Sequence, residues 1–249
     1  MLYLIFSDVH GNLEAYKRMF KAAEKINPDA FICLGDIVGY GPNPNETIDR
    51  TKKIKNLFII RGNHDKVAAG LDSTETFNPV ARKAIIWTKK KLNDKNKEYL
   101  KNLPKGPLLI DNKFTIFHGS YFDEDYYIFN PFDAILTLQN APTRISFFGH
   151  THIPIIFKFT PQDKLEVITI LTKKNKLEIK LDTKSYYLIN PGSIGQPRDR
   201  SPKISFTTYD TKKRIITFYR YKYPFQKTAA KILKQKLPKF LAERLGKGI

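Results

Sequence analysis

Five histidines occur in this chain of 249 residues, and each closes or follows an apolar run: His10, His64, His118, His150 and His152. Leu57-Phe58-Ile59-Ile60-Arg61 runs into Gly62-Asn63-His64-Asp65, which releases an amide, an imidazole and a carboxylate where a strand should stop. Leu2–Phe6 runs into Ser7-Asp8-Val9-His10, and Asp29–Leu34 into Gly35-Asp36. Phe114–Phe117 ends in His118-Gly119, and Ile145–Phe148 in Gly149-His150-Thr151-His152. Asp8 and His10 are two residues apart, so on an extended segment they point the same way. Such groups can ligate a metal, donate a proton or orient a donor. One histidine of this kind is ordinarily a satisfied structural residue, but five at strand ends are poorly explained that way.

With His64 set aside, Asp8, His10, Asp36, Asn63, His118, His150 and His152 offer seven oxygen and nitrogen donors. Seven exceed the four ligands of a structural zinc site, and the single cysteine, Cys33, rules out a thiolate cluster. The set suits two adjacent divalent ions that share a carboxylate and keep positions open for water and substrate. Mn, Fe, Zn, Ni and Co all fit an Asn, Asp and His shell.

The elements that must position these residues are legible from periodicity. Leu2–Phe6, Asp29–Leu34 and Leu57–Ile60 read as strands, the last as a buried one, and alternate with helices over Asn12–Ile26, capped by Asn12, and Asn45–Lys55. That alternation implies βαβ units. The stretch 67–103 reads as a helical insertion, with a helix starting near Asn78-Pro79, another over Asp94–Leu103, and Trp87 in its core. Leu108–Ile110 and Phe114–Phe117 pair around Asp111-Asn112-Lys113. Pro131–Asn140 is a helix, and Asp123–Tyr127 forms an acidic, aromatic loop. Strands follow at Ile153–Phe159, Leu165–Leu171, Leu177–Leu181, Tyr186–Ile189, Ile204–Tyr209 and Ile215–Tyr221, broken by Asn190-Pro191-Gly192-Ser193. Residues 1–223 read as one α/β domain and 224–249 as a basic helical tail interrupted near Pro238.

The formal charge is +19, and from Lys212 to Ile249 twelve Lys and Arg face one acid, Glu243. That balance points to anionic partners: nucleotides, nucleic acid or an acidic membrane. No apolar run approaches the ~20 residues that span a bilayer, and a signal-peptide core is missing. A cytoplasmic protein with a buried thiol at Cys33 is expected. The apolar positions of the tail, among them Ile232, Leu237 and Leu241, favour packing against protein, whether this domain or a second copy.

The ordered set Asp8-Val9-His10, Gly35-Asp36, Gly62-Asn63-His64-Asp65, His118 and Gly149-His150-Thr151-His152 resembles the calcineurin-like metallophosphoesterase superfamily. Asn190-Pro191-Gly192-Ser193 through Arg198 is similar to its branch of small bacterial and archaeal phosphodiesterases, some of which hydrolyse diadenosine polyphosphates. The resemblance implies a four-layer α/β/β/α sandwich of two mixed sheets. It implies one metal on Asp8, His10, Asp36 and His152 and a second on Asp36, Asn63, His118 and His150, with Asp36 bridging. His64 is then the general acid, oriented by Asp65, and Asn63 contacts substrate. Arg198 either clamps a second phosphate bidentately or forms a structural salt bridge. Arg61 is more readily explained by a structural ion pair, and Tyr40 either stacks on a base or packs its loop. The expected substrate is a small nucleotide with a phosphodiester or anhydride bond. A nuclease tracking single strands along the basic tail, and a non-catalytic interaction scaffold on the same fold, are the alternatives.

Overall fold

The computed structural model describes residues 1–162, 164–170 and 174–249. Its described strands form two six-stranded sheets. The first has the order β3 (Leu57–Ile59), β2 (Ala30–Cys33), β1 (Leu2–Phe6), β11 (Ile204–Asp210), β12 (Ile215–Tyr221), β9 (Lys176–Lys180). The second runs β4 (Leu108–Ile110), β5 (Phe114–Ile116), β6 (Ile145–Phe147), β10 (Tyr186–Asn190), β7 (Ile155–Phe159), β8 (Leu165–Thr169). β1, β2 and β3 are parallel, as are β5, β6 and β10, and the remaining pairings are antiparallel.

The period of two along β1 shows how the layers are built. Tyr3 and Ile5 enter the core between the sheets, where they meet Phe114, Phe147, Ile189 and Phe218. Leu4 and Phe6 face the opposite way, onto the helical layer. That layer contains α1 (Leu13–Ile26), α2 (Pro44–Thr51), α3 (Asn63–Ala69), α4 (Pro79–Lys91) and α5 (Asp94–Lys101). α6 (Pro131–Asn140) covers the outer face of the second sheet through Ala134 and Leu138. The four-layer arrangement is the expected one.

α1 forms as its sequence dictates. Asn12 accepts from the Ala15 N–H at 3.2 Å, and Ala15, Tyr16, Met19, Ala22 and Ala23 make the buried stripe. Asn27 ends the helix in a left-handed conformation.

Three expectations change. β3 is an edge strand and only half-buried, because its outer neighbour position is vacant among the described strands. The helical stretch expected from residue 67 begins earlier, with Asn63-His64-Asp65 as the first turn of α3. The eighth strand ends at Thr169, and the expected terminus at Leu171 lies outside the described residues.

The C-terminal segment folds as α7 (Phe225–Lys234) and α8 (Lys239–Lys247), separated at Pro238. Ile232, Leu237, Leu241 and Leu245 pack against Tyr40, Ala81 and Ala84. Thr228 donates to Asn12 Oδ1 at 2.8 Å, and Lys231 pairs with Glu14. The tail therefore docks on its own domain, beside the loop that carries Tyr40.

Candidate metal centre

All seven expected donors, with His64, converge where the parallel strands of both sheets end, the customary place for chemistry in an open α/β sheet. β1 delivers Asp8 and His10, β2 Asp36, β3 and the first turn of α3 Asn63 and His64, β5 His118, and β6 His150 and His152. Three overlapping groups have ligand atoms within 4.8 Å of one another: Asp8, His10 and His152; His10, Asp36 and His64; Asp36, His118 and His150. Asp36 Oδ2 lies 3.5 Å from His10 Nε2 and equally 3.5 Å from His118 Nε2. His152 Nε2 lies 3.3 Å from Asp8 Oδ1, and Asn63 Oδ1 3.2 Å from His118 Nε2.

The backbone aims these side chains at some cost. Asp8, His10, Asp36, His150 and His152 all have φ between 48° and 65°, the left-handed region that residues with a Cβ seldom adopt. The turn at Asn190–Gln196 staples the strained β1 loop. Ser193 Oγ and the Gly195 N–H both donate to the Asp8 carbonyl, at 2.9 and 2.8 Å. Asn190 Nδ2 reaches Gly149 O at 2.6 Å and so ties in the loop of His150. That network is the structural work of the Asn190–Ser193 turn.

Protonation follows from the ring partners. Nδ1 of His10, His118 and His152 meets the carbonyls of Val38, Leu34 and Gln196 at 3.1, 2.7 and 2.7 Å. A carbonyl can only accept, so each Nδ1 carries a proton. The Nε2 atoms of His10 and His152 then turn a lone pair inward, while His118 Nε2, facing Asn63 Oδ1 and Asp36, keeps its proton in the metal-free protein. His150 is reversed: its Nε2 donates to the Asp125 carbonyl at 3.1 Å, leaving Nδ1 as its ligating atom. Burial works to raise Asp8 and Asp36, yet the surrounding imidazoles hold both well below the usual carboxylate range. Burial holds His10 and His150 far down. Burial opposes charge on His118 as well, but Asp36 overcomes it and raises the ring to about 10.

Both oxygens of Asp8 and Oδ2 of Asp36 are buried without a hydrogen-bond partner. Orphaned carboxylate oxygens amid inward lone pairs are costly unless a cation joins them. The residues present therefore fit divalent metal ions.

His64 lies beside this cluster, its ring 4.8 Å from that of His10, 4.5 Å from Tyr40 and 4.7 Å from Phe77. Burial pushes it down to about 4. The expected dyad with Asp65 is corrected by the structure. Asp65 accepts from the N–H groups of Val38 and Gly62, at 3.1 and 3.2 Å, and caps the first turn of α3. Among the described residues no hydrogen bond joins it to the His64 ring, whose Nδ1 is buried without a partner. A carboxylate at N3 of a helix is a capping residue by position, and that signal becomes readable only once Asn63 is placed in a helix.

Arg61 forms the bidentate structural pair, with Glu124 at 2.9 and 3.0 Å. Arg198 stays at the site, donating to Gln196 Oε1 at 3.0 Å. The aromatic loop acquires a role: Asp125 anchors His150, and the Tyr127 ring lies 3.7 Å from it. Nothing in the spacing pointed to Arg244, which arrives on α8 and lines the same pocket as Arg198.

Comparison with known proteins agrees with this geometry. Residues 1–214 match the family model of the calcineurin-like phosphoesterase superfamily domain. An uncharacterised protein of Methanocaldococcus jannaschii is 36% identical over 253 residues, covering 97% of this chain and 96% of that one. A metallophosphoesterase from Sphaerobacter thermophilus superposes with a TM-score of 0.87 at 34% identity, covering 100% of this chain and 99% of that one. A hypothetical protein from Pyrococcus horikoshii, 20% identical, shares the fold with a TM-score of 0.79 over 100% and 98% of the two chains. With its motifs gathered at one sheet edge and a family match over most of its length, this chain belongs to the calcineurin-like phosphoesterase superfamily.

Proposed function

We propose that the protein is a metal-dependent hydrolase of small phosphate esters, acting on a phosphodiester or phosphoanhydride bond of a nucleotide. The observation that carries this reading is Asp36 Oδ2, buried, unpartnered and equidistant from imidazoles of two ligand groups. Asp8, His10, Asp36 and His152 would hold one divalent ion, and Asp36, Asn63, His118 and His150 the other. When bound, such a pair supplies an activated water and neutralises phosphoryl charge.

The chain's own residues do the rest. Asn63 and Arg198 orient the phosphoryl group at the rim. His64 donates a proton to the leaving oxygen. Its ring is neutral in the free protein at pH 7, and an anionic phosphoryl group brought against it favours the protonated form that an acid needs. Asp65 acts through the backbone by fixing the turn that carries His64. The pocket beside the site, about 310 Å³ and walled by Tyr40, Tyr127, Arg198 and Arg244, favours a small substrate over a nucleic-acid strand.

The test is a panel given to metal-loaded protein: an aryl phosphomonoester, an aryl phosphodiester, diadenosine tetraphosphate and single-stranded oligonucleotides, with His64→Ala as control. Turnover of the small esters, dependent on His64, is expected. Cleavage of oligonucleotides in preference would replace this reading with a nuclease. No turnover of anything with metal bound would leave an interaction scaffold.

A further inference from the structure

The pocket next to the metal cluster has one wall that the family match does not include. Its aromatic sides touch both ends of the cluster: Tyr40 packs on His10 and His64, and Tyr127 on His150. Its outer wall is α8, which contributes Phe240 and Arg244, beyond residue 214 where the match ends. Across the pocket stands Arg198.

Two guanidiniums thus share one small space, and among the described residues neither has a side-chain carboxylate partner. Arg198 donates to Gln196 and, at 3.5 Å, to the Tyr40 hydroxyl; it also engages the Tyr127 hydroxyl, and its Nε is buried unpartnered. Arg244 gives its Nε to the main-chain oxygen of Ile249 and lies over Phe240. Arg61 and Arg220 are by contrast paired with Glu124 and Asp199, while Arg82, Arg144 and Arg214 give their guanidiniums to main-chain oxygens outside any pocket shared with a second arginine. Burial and the proximity of Arg198 hold Arg244 down to about 10. Burial raises both phenols, and Arg198 opposes it at each. Like charges held close together are unfavourable in the free protein, and an incoming anion relieves them.

We propose that Arg244, carried in by α8, completes with Arg198 a subsite for a second phosphate of the substrate. Occupied this way, the site selects organic diphosphates and longer polyphosphate esters over simple monophosphates. The tail then does more than stabilise the domain, since it supplies a specificity residue. This deepens the hydrolase reading above and rests on the same site.

The experiment compares AMP and ADP by titration calorimetry on the full-length protein at saturating metal. The wild type should bind ADP at least about tenfold tighter than AMP. Arg244→Gln should cut that ratio by about tenfold or more, with thermal midpoint and metal content unchanged, and Arg244→Lys should keep part of it. If Arg244→Gln does not fold, Arg244→Lys reads the same ratio, with an intermediate value expected. An unchanged ratio in either variant overturns the proposal, as does equal weakening of both nucleotides, which would make Arg244 structural. An Arg244-dependent ratio in a protein that turns over no phosphate ester would keep the subsite and remove the hydrolase reading. Turnover without such a ratio would do the reverse.

Discussion

The Nε2 atoms of His10 and His152 face each other at 3.0 Å, and neither carries a proton. Each ring has spent its Nδ1–H on a main-chain carbonyl, at Val38 and Gln196. Two lone pairs at hydrogen-bonding distance repel, with Asp8 Oδ1 close to both at 3.7 and 3.3 Å. A cation between them turns the arrangement from costly to favourable.

Metal should therefore stabilise the fold as well as activate it. Saturation at about 100 times the dissociation constant contributes about 2.7 kcal/mol. For a chain of this size that is a rise of roughly 5–10 °C in the thermal midpoint. Calorimetry of chelator-stripped protein with and without Mn or Zn checks this. An unchanged midpoint would mean that the cluster does not hold metal.

Asp36 touches both ligand groups, whereas Asp8 belongs to one. Asp36→Ala should lose both ions and Asp8→Ala chiefly one. Elemental analysis of the purified variants reads the stoichiometry directly, and equal losses would refute the bridging role.

His64 lies beside the cluster without being needed to complete either proposed ligand set. His64→Ala should keep its metal content while turnover falls by about 10²–10⁴-fold. Metal lost together with activity would make His64 a ligand.

Asp65 supplies the pH signature. Burial, then Asp36, pushes its carboxyl up to about 7, against ~3.9 in an unfolded chain. The folded protein keeps this proton where the unfolded chain has released it. The associated stability is complete below ~3.9 and is lost as pH rises through about 7. Asp65→Asn lacks that loss, so in metal-free protein the variant should gain stability relative to wild type between pH ~4 and ~7. Urea titrations across that range measure the difference, and a constant offset would show that the carboxyl is not perturbed.

Gly39 packs against the proton-bearing edge of the site. Its φ is 147°, and an added Cβ would lie 2.5 Å from His10 Nδ1 and 2.8 Å from His64 Nδ1. Gly39→Ala should displace both rings, costing about 1–3 kcal/mol. Activity and metal affinity should fall together. Full activity in the variant would show that the loop yields without moving the imidazoles.

Much of this site was readable from the chain alone. Donors at Asp8, His10, Asp36, Asn63, His118, His150 and His152 stand out because apolar runs with strand-like length stop just before them. Strand ends are a local property, recorded in short-range periodicity. The layer order followed from the same pattern, since alternating strands and helices leave few topologies.

What the chain alone could not decide depends on distant partners. β3 reads as buried because its residues are apolar, but its place at a sheet edge is set by which strands pair, not by its own composition. Asp65 sits next to His64 in sequence yet turns to the N–H groups of Val38 and Gly62, because a side chain at N3 folds back onto the N-cap N–H of its own helix. Arg198 and Arg244 are 46 positions apart, one after β10 and one on the docked tail, and meet only because α8 packs on the Tyr40 loop. Local residue order determined which groups could do chemistry, and tertiary packing decided which of them face the same few ångströms of space.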